Sequence, residues 1–171
     1  MKNNNKGFTL IELIATISIL ALIMLLSVPN VMSMVDKNKR NAYIMDARKL
    51  VKTAKYKFNS SSSVRPASNY CVKYKLSVLD TTNINNPPND GKYIDNYSYV
   101  IIKYNSSSLS YDYTVQLVEE YKDLNQTYYR GVKATLSTNL TKQNAKMKYV
   151  PSSSKSLNGY TTMASYNCTT Y

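Results

Sequence analysis

The sequence predicts an α+β chain in which one long N-terminal helix, membrane-spanning in its first half, packs against a small antiparallel β-sheet. Three observations carry that expectation. Residues 13–35 contain no charged side chain and are mostly Ile, Leu, Met, Val and Ala. Tyr43, Ala47, Leu50, Val51, Ala54 and Phe58 then recur at helical spacing. Beyond residue 91 that period gives way to β-branched and aromatic runs.

A helix rising ~1.5 Å per residue needs about 20 apolar residues to cross a ~30 Å hydrocarbon core, so the first run is long enough to span. A polar leader of Lys2, Asn3, Asn4, Asn5 and Lys6 precedes it. An ordinary secretory signal has a shorter apolar core, of roughly 7 to 15 residues, and a small-residue cleavage site after it. Neither feature is present, and no Cys follows the run to take a lipid. Two residues are more than a plain anchor requires. Glu12 places an acid inside the apolar run, where a charge costs ~2.5–3.5 kcal/mol at mid-membrane and less near an end. Pro29 removes the backbone bond to the carbonyl of Leu25 and is expected to loosen or kink the helix.

The string Lys6-Gly7-Phe8-Thr9-Leu10-Ile11-Glu12-Leu13, followed by an unbroken apolar helix carrying Pro29, resembles the class III signal and N-terminal helix of type IV pilins and pseudopilins. The resemblance covers about 35 residues, and beyond Asp36 it is architectural only. It implies that a prepilin peptidase cuts between Gly7 and Phe8, removing residues 1–7, and methylates the new amine of Phe8. It also implies that Glu12 neutralises the Phe8 amine of a neighbouring subunit. The physical chemistry agrees, because an amine is the charge that offsets a carboxylate stranded in hydrocarbon. Lys2 and Lys6 are outnumbered by Lys37, Lys39 and Arg40 on the other flank, so positive-charge counting favours the opposite topology. Long domains translocate largely regardless of such charges, and the resemblance places the head outside.

The expected organisation is therefore a leader at 1–7, an apolar filament-core helix at 8–35 and a globular head at 36–171. The helix continues to about residue 58, with Arg48, Lys52 and Lys55 on the face opposite the apolar stripe. Residues 59–63 and Pro66 end it. Residues 70–79 form a short strand or turn, and Asn86-Pro87-Pro88-Asn89-Asp90-Gly91 marks a loop. Strands are expected at 97–104, 111–118 and 128–136, joined at 105–110 and 123–126 into a meander of three or four strands. Residues 142–159 are polar and without clear pattern, and Asn158-Gly159 is a turn signal. In a translocated domain Cys71 and Cys168 are a candidate disulfide tying the tail to the loop after the helix; two buried thiols are the alternative.

The chain has no His, and its acids lack metal-ligand spacing; no cofactor, metal or catalytic residue is expected, and the chain is read as a non-enzyme. Glu119 and Glu120 are expected at a solvated strand end. From Asp36 onward there are 20 Lys and Arg against nine Asp and Glu, since only Lys2, Lys6 and Glu12 lie earlier. That excess favours weak, non-specific contact with polyanions or DNA. Alternation places Tyr97 with Tyr99, and Tyr111 with Tyr113, on common sheet faces. Lys73, Lys75, Lys92, Lys103 and Lys133 between them would set cations beside stacking platforms. The leading functional reading is a major or minor pilin of an extracellular filament serving adhesion, motility or aggregation. The alternatives are a pseudopilin of a type II secretion or DNA-uptake machine, and a filament-displayed adhesin or DNA-binding head. In each, its partners are the peptidase, copies of itself or other pilins, and the cytoplasmic membrane before assembly.

Overall fold

The computed structural model describes residues 8–61, 71–82, 84, 86–124, 126–146, 157, 160–163 and 166–170. Helix α1 runs Leu10–Ser60. The chain divides into two compact units, Met1–Lys37 and Asn38–Tyr171, and α1 contributes to both.

In the first unit the helix is exposed throughout. Its polar side chains turn back on their own backbone: Thr16 Oγ1 donates to Leu13 O (2.8 Å), Ser18 Oγ to Ile14 O (2.8 Å), and Ser27 Oγ to Ile23 O (2.8 Å). Asn30 Nδ2 donates to Leu26 O (3.1 Å). Such back-bonding removes the need for outside partners, which hydrocarbon cannot supply. The last two bonds bracket Pro29, and α1 continues through that residue without a break. The helix thus passes Pro29 without ending, and the two neighbouring side-chain bonds go to the carbonyls of Ile23 and Leu26, not to that of Leu25.

In the second unit the stripe of Tyr43, Ala47, Leu50, Val51, Ala54 and Phe58 is buried, together with Ile44 and Asp46. It packs against a sheet built from β1 (Cys71–Lys75), β2 (Lys92–Tyr93), β3 (Tyr99–Asn105), β4 (Ser110–Asp123), β5 (Gln126–Leu136), β6 (Ala145–Lys146) and β7 (Thr169–Thr170). The order is β6-β5-β4-β3-β1-β7, with β2 paired to β4. The β3-β4-β5 meander is the expected antiparallel core. Among the described strands the sheet is larger than the expected three or four, and β7 pairs with β1 in parallel, Val72 against Thr169. Two-residue strands carry no periodic signal, because side-chain alternation needs several residues to show.

Both faces of β3 are covered, and alternation explains how. Val100 and Ile102 join the helix stripe in the main core, with Val72, Val115, Leu117 and Val132. Tyr99 and Ile101 point the other way and pack with Met163, beside Cys71, Tyr166 and Cys168. The C-terminal segment therefore covers the face that the helix leaves. Tyr111 and Tyr113 pack against the main core, Tyr111 edge-to-face with Phe58 at 5.0 Å. The expected Tyr97–Tyr99 pair is not formed, because Tyr97 lies in a 3-10 turn and the strand starts only at Tyr99.

Gly131 sits where β4 and β5 change register beside Gln116, with φ +148°, and a Cβ there would run into the Leu117 carbonyl oxygen. A glycine is required by both conformation and space. The Pro66 stop, the Asn158-Gly159 turn, Asn125 in the second hairpin and most of 142–159 lie outside the described residues.

Candidate processing and assembly site

Gly7 and the leader lie outside the described residues. Phe8 is 82% exposed, and Thr9 precedes the first helical residue, Leu10. Thr9 and Glu12 form a reciprocal cap. Thr9 N donates to Glu12 Oε2 at 2.9 Å, Thr9 Oγ1 donates to the same oxygen at 2.7 Å, and Glu12 N donates to Thr9 Oγ1 at 3.4 Å. This is a capping box, in which the fourth residue of a T-x-x-E string reaches back to close the helix start. The string Thr9-Leu10-Ile11-Glu12 announces it, although the acid draws attention first as a charge in an apolar helix. Within one chain, then, Glu12 bonds Thr9. One carboxylate oxygen takes both Thr9 donors, and Glu12 stays exposed.

The helix that follows has a window of mean hydropathy 2.5, none of it buried, and is long and apolar enough to cross a membrane. Leu10, Ile11, Leu25 and Leu26 are each at least 73% exposed, so a large apolar surface is left for lipid or for other chains. The prokaryotic N-terminal methylation motif matches residues 2–28. That match supports a type IV pilin-like N-terminal segment. No curated protein and no solved structure matches the chain. The matched segment contains Gly7, Phe8 and Glu12 and ends one residue before Pro29.

Cys71 and Cys168 are joined by a disulfide, with Cα atoms 4.8 Å apart and a sequence separation of 97. It fastens β1 to the segment leading into β7. Lys73, one of the cations expected beside the tyrosine platforms, is buried and donates to Met163 O (3.3 Å) and Tyr166 O (2.9 Å), gripping the same segment. Other basic groups are also occupied: Lys55 Nζ sits 4.5 Å from the Tyr113 ring centre, Arg40 donates to Ala145 O and Arg48 to Leu140 O.

The expectation of a solvated Glu119–Glu120 pair is overturned. Glu119 has no exposed surface, and Glu120 is half-buried. Strand β2 holds the loop ahead of it over β4, pairing Tyr93 with Glu119. Glu119 Oε1 accepts from the backbone of Asn89 (3.2 Å) and Gly91 (2.9 Å). Its Oε2 accepts from Asn89 Nδ2 (2.9 Å) and from the Tyr43 hydroxyl. A buried carboxylate is tolerable only with such a set of donors. Burial, and next the bond to Glu119, pushes the Tyr43 phenol far above its ordinary range, so it remains a donor. Tyr93 is raised by burial and then by the charge of Asp46, whose Oδ2 accepts its hydroxyl at 2.8 Å.

Proposed function

We propose that this chain is a structural subunit, major or minor, of an extracellular type IV pilus-like filament. It waits in the cytoplasmic membrane with residues 13–35 in lipid and the head outside. A prepilin peptidase trims it after Gly7 and methylates Phe8. In the filament Glu12 turns from Thr9 to the Phe8 amine of a neighbour. The observation that supports this reading most strongly is the conjunction of the methylation motif over residues 2–28 with a helix whose apolar window is wholly exposed in the single chain. A helix apolar all round is stable only when lipid or protein covers it.

Immunogold electron microscopy with antibody to residues 38–171 tests the proposal. Label along surface filaments many subunits long is expected. Label confined to the cell envelope, with filaments unlabelled, overturns it.

A further inference from the structure

The buried node around Glu119 holds more than structural hydrogen bonds. Asn89 presents its side-chain amide to three charged groups at once. Lys39 Nζ lies 2.8 Å from Asn89 Oδ1, and Arg130 Nη1 donates to the same oxygen at 2.9 Å. On the other side of the amide, Asn89 Nδ2 lies 2.9 Å from Glu119 Oε2. An amine sits at the carbonyl, a guanidinium polarises it, and a carboxylate meets the nitrogen that would leave. We propose that Lys39 and Asn89 join in an intramolecular isopeptide bond, formed autocatalytically with Glu119 as proton relay and Arg130 as oxyanion donor.

The geometry is close to productive. With Nζ 2.8 Å from Oδ1 and a C=O bond of ~1.2 Å, Nζ is at most about 4 Å from the carbonyl carbon. A near-attack pair needs about 3–3.5 Å, so a small rotation of the Lys39 side chain suffices. The reaction balances without any other reactant. Lys39 Nζ bonds to Asn89 Cγ, and the Cγ–Nδ2 bond breaks. Of the three protons on the ammonium, one remains on the new amide nitrogen. The other two pass to the departing nitrogen, which leaves as ammonium; Glu119 carries at least one of them between Nζ and Nδ2. Arg130 stabilises the negative charge that gathers on Oδ1 as the carbon becomes tetrahedral.

Both catalytic groups are held before the reaction begins. Arg130 is 5% exposed and stacks over the Tyr121 ring, its guanidinium carbon 4.9 Å from the ring centre. Glu119 is fixed by Tyr43 and by the backbone of Asn89 and Gly91. Gly91 lets the loop come this close, since a Cβ there would lie 2.7 Å from Glu119 Oε1 and run into the Glu120 carbonyl oxygen. Lys39 itself is half-buried, which leaves ammonium a route to solvent. The bond would fasten α1 to the loop ahead of β2 across 50 positions of sequence. It would clamp helix to sheet covalently, as the Cys71–Cys168 disulfide clamps β1 to the C-terminal segment.

The test is the intact mass of the purified, reduced full-length chain beside that of Lys39→Arg, followed by tryptic mapping. The wild-type chain is expected to fall short of its sequence mass by one ammonia. Trypsin should fail to cut after Lys39 and should release a branched peptide joining Lys39 to Asn89. Lys39→Arg should show its full sequence mass, and Glu119→Gln should lose the branched peptide or form it at least tenfold more slowly. A wild-type chain at full mass overturns the proposal. So does an ammonia loss that persists in Lys39→Arg, because that marks Asn89 closing on its own backbone.

Discussion

The first half of α1, residues 10–35, holds 19 Leu, Ile, Ala, Met and Val residues and the second half, residues 36–60, only seven, and their apolar side chains end differently. Leu22, Leu25 and Leu26 are more than half exposed, whereas Leu50, Ala47 and Ala54 have no exposed surface. The difference lies in the polar residues. From Asp36 onward charged residues interrupt the run, with Arg48, Lys52 and Lys55 exposed and the stripe from Tyr43 to Phe58 buried against one sheet face. Between Leu13 and Val35 only Thr, Ser, Asn and Pro29 interrupt the run, and each polar side chain bonded back to the helix stays compatible with lipid. The same element is thus finished by its own head in one half and requires covering by lipid or neighbours in the other.

The largest effect that would break this comparison is expected at Glu12. Glu12→Ala should insert into membranes as well as the unmodified chain, or better. On the proposed pairing it would leave the Phe8 amine without its partner, and breaking a buried pair costs ~3–5 kcal/mol. Incorporation in competition with the unmodified subunit should fall by about a hundredfold or more. Equal incorporation would remove Glu12 from the assembly account.

Next come matched truncations in the two halves. Phe58→Ala should destabilise the head by ~3–5 kcal/mol, because Phe58 is buried against Tyr111. Leu22→Ala, at a side chain 63% exposed in the single chain, should leave denaturant unfolding of the head unchanged within ~0.5 kcal/mol. A comparable loss at both positions would mean that the two halves are not energetically distinct.

The disulfide sharpens the account of the head. Its 97-residue separation gives a loop-closure contribution of up to ~4–5 kcal/mol, of which measured bridges often deliver less. Cys168→Ser should therefore lower head stability by ~2–4 kcal/mol in urea unfolding. An unchanged midpoint would show that Lys73 and the Tyr99–Met163 cluster hold the C-terminal segment unaided. The smallest effect belongs to Thr9→Ala, which removes one side of the capping box for ~1 kcal/mol. Amide exchange at Leu10–Leu13 in micelles should rise about fivefold, with the remainder of α1 unaffected.

Much of this could be read from residue order. The stripe from Tyr43 to Phe58 and the runs that became β3, β4 and β5 are local patterns, and local patterns survive in sequence. The N-terminal methylation motif over residues 2–28 was legible too, since its residues are contiguous. What escaped is non-local. Glu119 and Glu120 look like a solvated strand end because the groups that bury Glu119 arrive from Tyr43, Asn89 and Gly91, 28 to 76 positions away. The burial of Lys73 is hidden from residue order in the same way, its acceptors lying 90 and 93 positions on. The parallel β7 depends on a tail whose path no periodicity encodes.

The central claim is that a membrane-stored precursor becomes a filament subunit by cleavage at Gly7 and use of the new Phe8 amine. Intact mass and N-terminal sequencing of the chain sheared from the cell surface test it most directly. The account predicts a chain lacking residues 1–7 that begins with N-methylated Phe8. A surface chain that keeps Lys2, or one that begins anywhere else, would contradict it.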